Sequence, residues 1–439
     1  MMTPDAAEPQ IRPAPEEAPF PPRWKRNFAA NFVDSLFFSL ALAFVSVNTI
    51  VPLFISTLGG SALLIGLIPA LVQTGHMLPP LFAAPYVAPL PRKLPFLLKM
   101  TVIERLPLLL LAILSIMLAR SNPTAMLAIT ASLLAIFGLG GGICLPAWMD
   151  IVARVTPLRM RGKLFGWSGA LSGLLGVAGG LAAERVLAAF AFPYNFAACF
   201  AAASICLLVS FLGLAAIHEP VAEERAEAMG IGAYIGQLPA LLRRDHDFRI
   251  FIFVRVLSAF AGLATAFVAV YATEQRELPA SIAGRFTAWM LGAQIIATPL
   301  FGMLADRYGY KSSLQFALLA QTVAMVLSLI VTTPLGFSMV FALIGAASGL
   351  VFATTLNMVV EFATPAERVT YLGLHGTLIA LPTLLAPVLG GWLVETGGYP
   401  LAFIAAASFG IAAFVLLTWF VRDPRHRQLA LATAGDGRS

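Results

Sequence analysis

Six ionisable residues fall inside long apolar stretches of this chain: Asp34, His76, Glu104, Arg105, Arg255 and His375. Carboxylates and imidazoles in such surroundings can bind and release protons, and opposite charges can pair. An isolated charge there is costly, which makes each of the six a functional candidate by default. Counting about 1.5 Å per residue from the ends of the stretches puts Asp34, Arg255 and His375 about 10 Å deep, and His76, Glu104 and Arg105 about 15 Å deep. Asp34 and Arg255 occupy nearly equivalent places in the two halves of the chain, so they are predicted to form an ion pair across the space between the halves. Glu104 and Arg105 are adjacent and point about 100° apart on a helix, so each needs a partner on another helix. A buried structural ion network is the competing reading for these two. His76 is read either as a proton relay or as a neutral packing histidine.

Composition decides what solvent holds these charges. Residues of the AVILMFWYC set make up 59% of the 439 positions and charged residues 11%, far from the roughly 25% charged residues of a soluble domain. A spanning helix needs about 20 apolar residues. Twelve such stretches are read, at roughly 29–57, 62–87, 95–119, 123–152, 165–190, 194–217, 249–273, 281–305, 312–332, 335–361, 369–394 and 399–421. Their length excludes the short alternating strands of a membrane barrel. The predicted fold class is an all-α membrane protein with twelve transmembrane helices in two six-helix halves related by pseudo-two-fold symmetry.

Lys and Arg are retained on the cytoplasmic side of short loops. With the N-terminus inside, the outer side keeps only Arg120, Arg185, Arg276 and Arg285. Both termini are therefore expected in the cytoplasm, and the chain in the cytoplasmic membrane. The net charge of +6 sits in loops without aromatic platforms, which argues against a nucleic-acid partner. Cys144, Cys199 and Cys206 all lie within predicted helices, with no CxxC pair, and read as small buried hydrophobes. No metal or other cofactor is implied.

The predicted organisation has five parts. Residues 1–28, rich in Pro and Glu, form a disordered cytoplasmic segment without the apolar core of a cleavable signal. Residues 29–217 form the first bundle. Residues 218–248 are a cytoplasmic linker whose "MGIGAYIGQLPALLRRD" suits a helix on the membrane surface. Residues 249–421 form the second bundle, and 422–439 a cytoplasmic tail. Internal similarity at an offset of about 210 residues suggests duplication. "TPLRMRG" at Thr156 recurs as "TPAERV" at Thr364, "GGLAAE" at Gly179 as "GGWLVE" at Gly390, and Asp150 matches Glu361.

Between the eighth and ninth stretches stands "GMLADRYGYK", from Gly302 to Lys311. Together with the twelve stretches, the duplicated halves and "TLGGSALLIGL" after Pro52, it resembles the major facilitator superfamily of secondary transporters. The resemblance covers nearly the whole chain and rests most on Gly302, Leu304, Ala305, Asp306, Arg307, Gly309 and Lys311. It implies an inner gate that closes through charge pairs, for which Asp306, Arg307, Lys311, Glu361, Arg368 and Asp150 are the candidates. In the first-half copy, "APYVAPLPRK", Ala88 replaces the acid and Pro89 the first Arg, leaving Arg92 and Lys93. That copy is not expected to latch by charge, unless Asp150 pairs with Arg154, Arg159 or Arg161 instead. Glu104 and Arg105 sit on the third helix, which in the family stands outside the cavity, whereas Asp34 sits on the first, which lines it.

Uncharged cavity candidates are Asn48, Thr49, Gln73, Gln294, Thr354, Thr355 and Asn357, with Trp148, Trp167, Trp289 and Tyr271 as aromatic walls. The set is thin for a sugar and better suited to an amphipathic or lipophilic solute. "GALSGLLGVAGG" resembles the family's antiporter motif with Val177 where a Gly-Pro step is expected. No phosphate loop, HExxH helix or GxSxG elbow is present, so no enzyme is expected. The resemblance implies a monomeric transporter of a small molecule coupled to protons or another ion, with export by proton antiport as the leading reading. An uptake permease for a polar metabolite and a non-transporting membrane assembly factor stay open as alternatives.

Overall fold

The computed structural model describes residues 23–221, 243–363 and 367–421, and they form helices connected by short turns. The first half holds α1 (Trp24–Phe44), α2 (Ile50–Thr57), α3 (Ala62–Met77), α4 (Pro79–Val87), α5 (Leu94–Leu118), α6 (Pro123–Val155), α7 (Leu158–Ala189) and α8 (Tyr194–Ala215). The second holds α9 (His246–Ala261), α10 (Thr265–Glu274), α11 (Ile282–Tyr308), α12 (Tyr310–Ile330), α13 (Pro334–Phe362) and α14 (Arg368–Phe420). Local signals set several starts. Asn122, Asp245 and Thr333 each accept a backbone N–H from the first turn that follows, at 3.1 Å in every case, satisfying donors that the helix cannot.

Eleven continuous stretches are long and apolar enough to cross a membrane among the described residues. The last, Tyr371–Phe420, is 50 residues long, or about 75 Å, more than twice the hydrocarbon thickness. It breaks at Gly398, whose φ of 77° lies in the left-handed region that glycine tolerates. The break turns one helix into two crossings and brings the total to twelve. The largest boundary difference is at α7, which begins at Leu158 rather than near 165. Its basic first turns are good helix formers, and an apolar-run criterion does not see them.

The first crossing of each half is interrupted. Residues 45–49 separate α1 from α2, and 262–264 separate α9 from α10. Irregular backbone at this depth is tolerated where it lines a cavity, and Asn48 and Gly262 both do so.

Core packing divides the molecule along its length. At one end a single apolar cluster unites both halves, with Phe54, Phe196 and Phe200 of the first half and Phe267, Phe286, Phe337 and Phe403 of the second. At the other end the core splits in two. Ala30, Leu97, Ala147 and Leu214 form a cluster within the first half, while Phe248, Phe251, Tyr371 and Leu417 form one within the second. The split end carries the basic segments at 88–93, 156–163 and 307–311. Large apolar side chains such as Ile205, Ile330 and Trp419 are exposed on the outside, as lipid contact requires. The first 22 residues, the greater part of the 218–248 linker including the stretch expected to form a surface helix, and the 422–439 tail lie outside the described residues.

Candidate functional site

At the closed end the halves are joined by polar contacts that follow the internal repeat. Glu184 in α7 receives Nε and Nη2 of Arg285 in α11 at 3.1 and 2.5 Å. Glu395 in α14 accepts the backbone N–H of Leu63, in the first turn of α3, at 3.1 Å. These acids end the duplicated "GGLAAE" and "GGWLVE", so the repeat supplies two matching clasps. The glycines explain how the backbones come close enough. A Cβ at Gly180 would lie 2.7 Å from the Ala288 nitrogen, and one at Gly391 would lie 2.6 Å from the Ala62 oxygen. Thr49 and Thr287 add a hydroxyl pair at 2.6 Å. Glu274 accepts from Ser56 across the halves and from Tyr399 at 2.6 Å within its own half.

From this floor a cavity of about 820 Å³ opens between α1, α3, α6, α7 and α11. Leu42, Val47, Phe137, Phe165, Met290 and Ile295 make it mainly apolar, with Asn48, His76, Gln294 and Thr298 as polar points. Toward the split end, side chains added at Gly166 or Gly169 on its wall would meet nothing within 4 Å. Asn48 also borders a second chamber of about 230 Å³, lined by Gln73, Arg255, Ser258, Gln321, Ser348 and Thr383.

The predicted charges are redistributed. Asp34 does not meet Arg255. Its carboxylate is held within the first half by Arg105 (3.3 Å), Ser210 (2.5 Å) and the Trp148 indole (3.0 Å). Position along a helix leaves the direction around its axis open, and Asp34 faces α5, α6 and α8. Arg105 therefore has the partner on another helix that its position demands. Beside it a space of about 280 Å³ is lined by Asp34, His76, Thr101, Glu104, Arg105 and Trp148. His76 donates from Nδ1 to its own helix at Val72 (2.9 Å), which leaves Nε2 as an acceptor. The point where a Cβ would stand on Gly141 lies 2.5 Å from His76 Nε2 and 2.9 Å from Glu104 Oε1. The glycine makes the room in which the imidazole and the carboxylate converge. His76 lines the large cavity as well and so connects it to the buried charges.

His375 is buried with its ring 6.3 Å from that of Phe251, inside the core of the second half. Among the aromatic walls, Tyr271 packs against Phe337, Tyr399 and Phe403 at the closed end. Trp289 is 41% exposed, one residue and about 100° around the helix from the cavity-lining Met290. Asn357 is exposed, and Thr354 and Thr355 are buried; none of the three lines either chamber. Asn48, Gln73 and Gln294 do.

At the split end, Asp150 pairs with Lys93 at 2.7 Å and Arg154 at 2.6 Å. The expected Arg154 contact is present, and the first-half motif copy still makes a charge pair, through its terminal Lys. Sequence reasoning missed Glu219, which accepts the Lys93 and Leu94 backbone N–H groups at 2.9 and 2.7 Å and caps α5 with a negative charge. Lys311 donates to the Thr418 carbonyl at 2.8 Å within the second half, and the Arg307 guanidinium stands 5.4 Å from the ring of its neighbour Tyr308. Glu361 is half-buried and Arg368 exposed. The Asp306 side chain lies outside the described residues.

Comparison with known proteins gives concordant results. A sequence model of the Major Facilitator Superfamily matches residues 251–438. The class H tetracycline resistance protein of Pasteurella multocida is 29% identical over 209 residues, 47% of this chain and 44% of that one. Multidrug resistance protein MdtG of Dickeya zeae is 31% identical over 129 residues, 29% of this chain and 31% of that one. The chain thus matches less than half the length of these curated relatives. Solved structures align over nearly the whole fold. The nucleoside transporter NupG covers 90% of this chain and 100% of its own, at TM-score 0.71 and 16% identity. A D-xylose–proton symporter covers 91% and 98%, at TM-score 0.67 and 15% identity.

Proposed function

We propose that the chain is a secondary active transporter of the major facilitator superfamily that exports a small amphipathic or lipophilic solute across the cytoplasmic membrane by alternating access, coupled to proton entry. The observation that carries this reading is the cavity of about 820 Å³ between the halves, open at one end and clasped at the other. Taking the basic end as cytoplasmic makes this an inward-facing state with the outer gate closed. Both termini then lie inside, and the working unit is a monomer in the bilayer.

Export is favoured over uptake by the relatives at 29–31% identity, which are named for tetracycline and multidrug resistance. The apolar lining of the cavity fits such solutes. Proton coupling is supported by the cluster of Asp34, Arg105, Glu104 and His76, which reaches the cavity through His76. A proton delivered to Asp34 would weaken its hold on Arg105 and change how α1 is tied to α5 and α8. Asp306, Arg307, Lys311, Glu361 and Arg368 are assigned to the inner gate that forms when the open end closes.

Flux of a lipophilic fluorescent dye in proteoliposomes tests the proposal. An imposed pH gradient should drive accumulation by the wild type and fail to do so with Asp34→Asn. Dye flux that ignores the gradient in both proteins would refute proton coupling, and absence of flux for every solute tried would refute transport.

A further inference from the structure

The smaller chamber contains a cation without a counterion. Arg255 is 7% exposed. Its Nη1 donates to Ser258 Oγ at 2.9 Å, and its Nε is buried without a hydrogen-bond partner. Among the described residues no carboxylate lies within ion-pair distance of it. Of the buried acids of the other half, Asp34 is held by Arg105, Glu219 by the backbone at the start of α5, and Glu104 lines the space it shares with His76. The other titratable group near Arg255 is His375, which interacts with it electrostatically and supplies no negative charge.

A charge in the membrane interior is retained where something completes it. Around Arg255 the chamber offers hydrogen-bonding side chains: Asn48, Gln73, Gln321, Ser348 and Thr383. Gln321 is held in place by its amide donating to Thr265 Oγ1 at 3.2 Å. Asn48 stands at the boundary with the large apolar cavity. The two chambers therefore differ in chemistry, the one of about 820 Å³ mainly apolar, the one of about 230 Å³ richer in polar side chains and carrying the Arg255 cation.

We propose that Arg255 is the anchor for the carboxylate of an amphipathic organic anion, whose head enters the small chamber while its apolar body fills the large one. The guanidinium suits this task because its planar array of donors matches a carboxylate. The same field disfavours cationic solutes. This assignment rests on the reading of the chain as a transporter of amphipathic solutes and adds the sign of their charge.

The test uses purified full-length protein in nanodiscs and matched probes, arylalkanoic acids from phenylacetate to 1-pyrenebutyrate, each beside its primary amide. Binding is measured by titration calorimetry. At least one acid should bind wild type ten or more times tighter than its amide, about 1.4 kcal/mol. Arg255→Gln should erase that preference, and Arg255→Lys should keep part of it, since the charge survives without the fork. Arg255→Gln should not lower the melting temperature, because it removes an unpaired charge and breaks no pair. Equal binding of acid and amide by wild type would overturn the anion site while leaving the transport reading intact. A preference that survives in Arg255→Gln would place the anchor elsewhere. Failure of every probe to bind a protein that still transports a neutral or cationic dye would also reject it. Failure of binding together with absence of any transport would reject both readings.

Discussion

Glu184 and Arg285 lie in different halves of the molecule and meet side-on, two nitrogens of the guanidinium against two oxygens of the carboxylate. The repeat-related acid, Glu395, clasps the backbone at Leu63 instead. One duplicated element thus holds the closed end twice, once through a side-chain cation and once through a helix N-terminus. The difference has a consequence for mutants, because only the first clasp has a partner that substitution can remove.

Glu184→Gln and Arg285→Gln should each favour the state in which this end is open. Arg285 is 45% exposed at the side chain, so the pair is screened and its contribution is about 0.2–1 kcal/mol. The population ratio should change by roughly 1.4- to fivefold. Double electron–electron resonance between spin labels at Ser121 and Thr332, one on each half at this end, reads the ratio directly. An unchanged distance distribution in both variants would show that packing alone keeps this end closed.

The opposite end carries the converse prediction. If Asp306 latches it when closed, Asp306→Asn should populate the open state further. A cysteine introduced at Gly166, on the cavity wall with free space around it, should then react faster with a soluble maleimide. Equal reaction rates in a well-folded Asp306→Asn protein would eliminate the latch.

Much of this fold is legible in the sequence, because its main determinant is one-dimensional. Apolar length reports a crossing, and the twelve stretches correspond to twelve crossings even where Gly398 alone divides the last two. The site is less legible, because its chemistry depends on helix rotation. Asp34 and Arg255 hold nearly equivalent places in the two repeats, yet they face different neighbours, and the real partners of Asp34 are an Arg, a Ser and a Trp from three other helices. Trp289 misses the cavity by one residue of helical phase. The clasp acids were visible as the last letters of a repeat, with no composition signal to say that they bridge the halves. Nothing in the sequence separates Gly141 from its neighbours Gly140 and Gly142, and its role emerges from the two side chains that converge above it.

The Asp34 and Arg105 pair should show strong coupling in stability. Each is nearly buried, so Asp34→Asn or Arg105→Gln alone leaves an uncompensated charge, at a cost of about 3–5 kcal/mol. The double variant leaves no orphan from this pair, and its cost should fall short of the sum by about 0.5–3 kcal/mol. Thermal melting of the four proteins in the same detergent measures the cycle. Strict additivity would mean that the 3.3 Å contact is incidental, with Ser210 and Trp148 sufficient to hold the carboxylate.

Gly141 gives the most local test of the buried cluster. A methyl group there would stand 2.5 Å from His76 Nε2 and 2.9 Å from Glu104 Oε1, closer than either atom can accept, so the two side chains must part. Gly141→Ala should therefore slow proton-driven flux severalfold, and in the same preparation the protein should still bind solute in the large cavity, where His76 is one wall residue among many. Gly162→Ala supplies the comparison. Its methyl would meet nothing within 4 Å, and in the helix α7 the change should stabilise by about 0.5–1 kcal/mol through backbone entropy with flux unaltered. If Gly141→Ala lowers binding and flux to the same degree, the glycine serves packing of α6 against α3 and α5. If it spares both, His76 and Glu104 do not need to meet, and the route from the cavity to Asp34 runs past them.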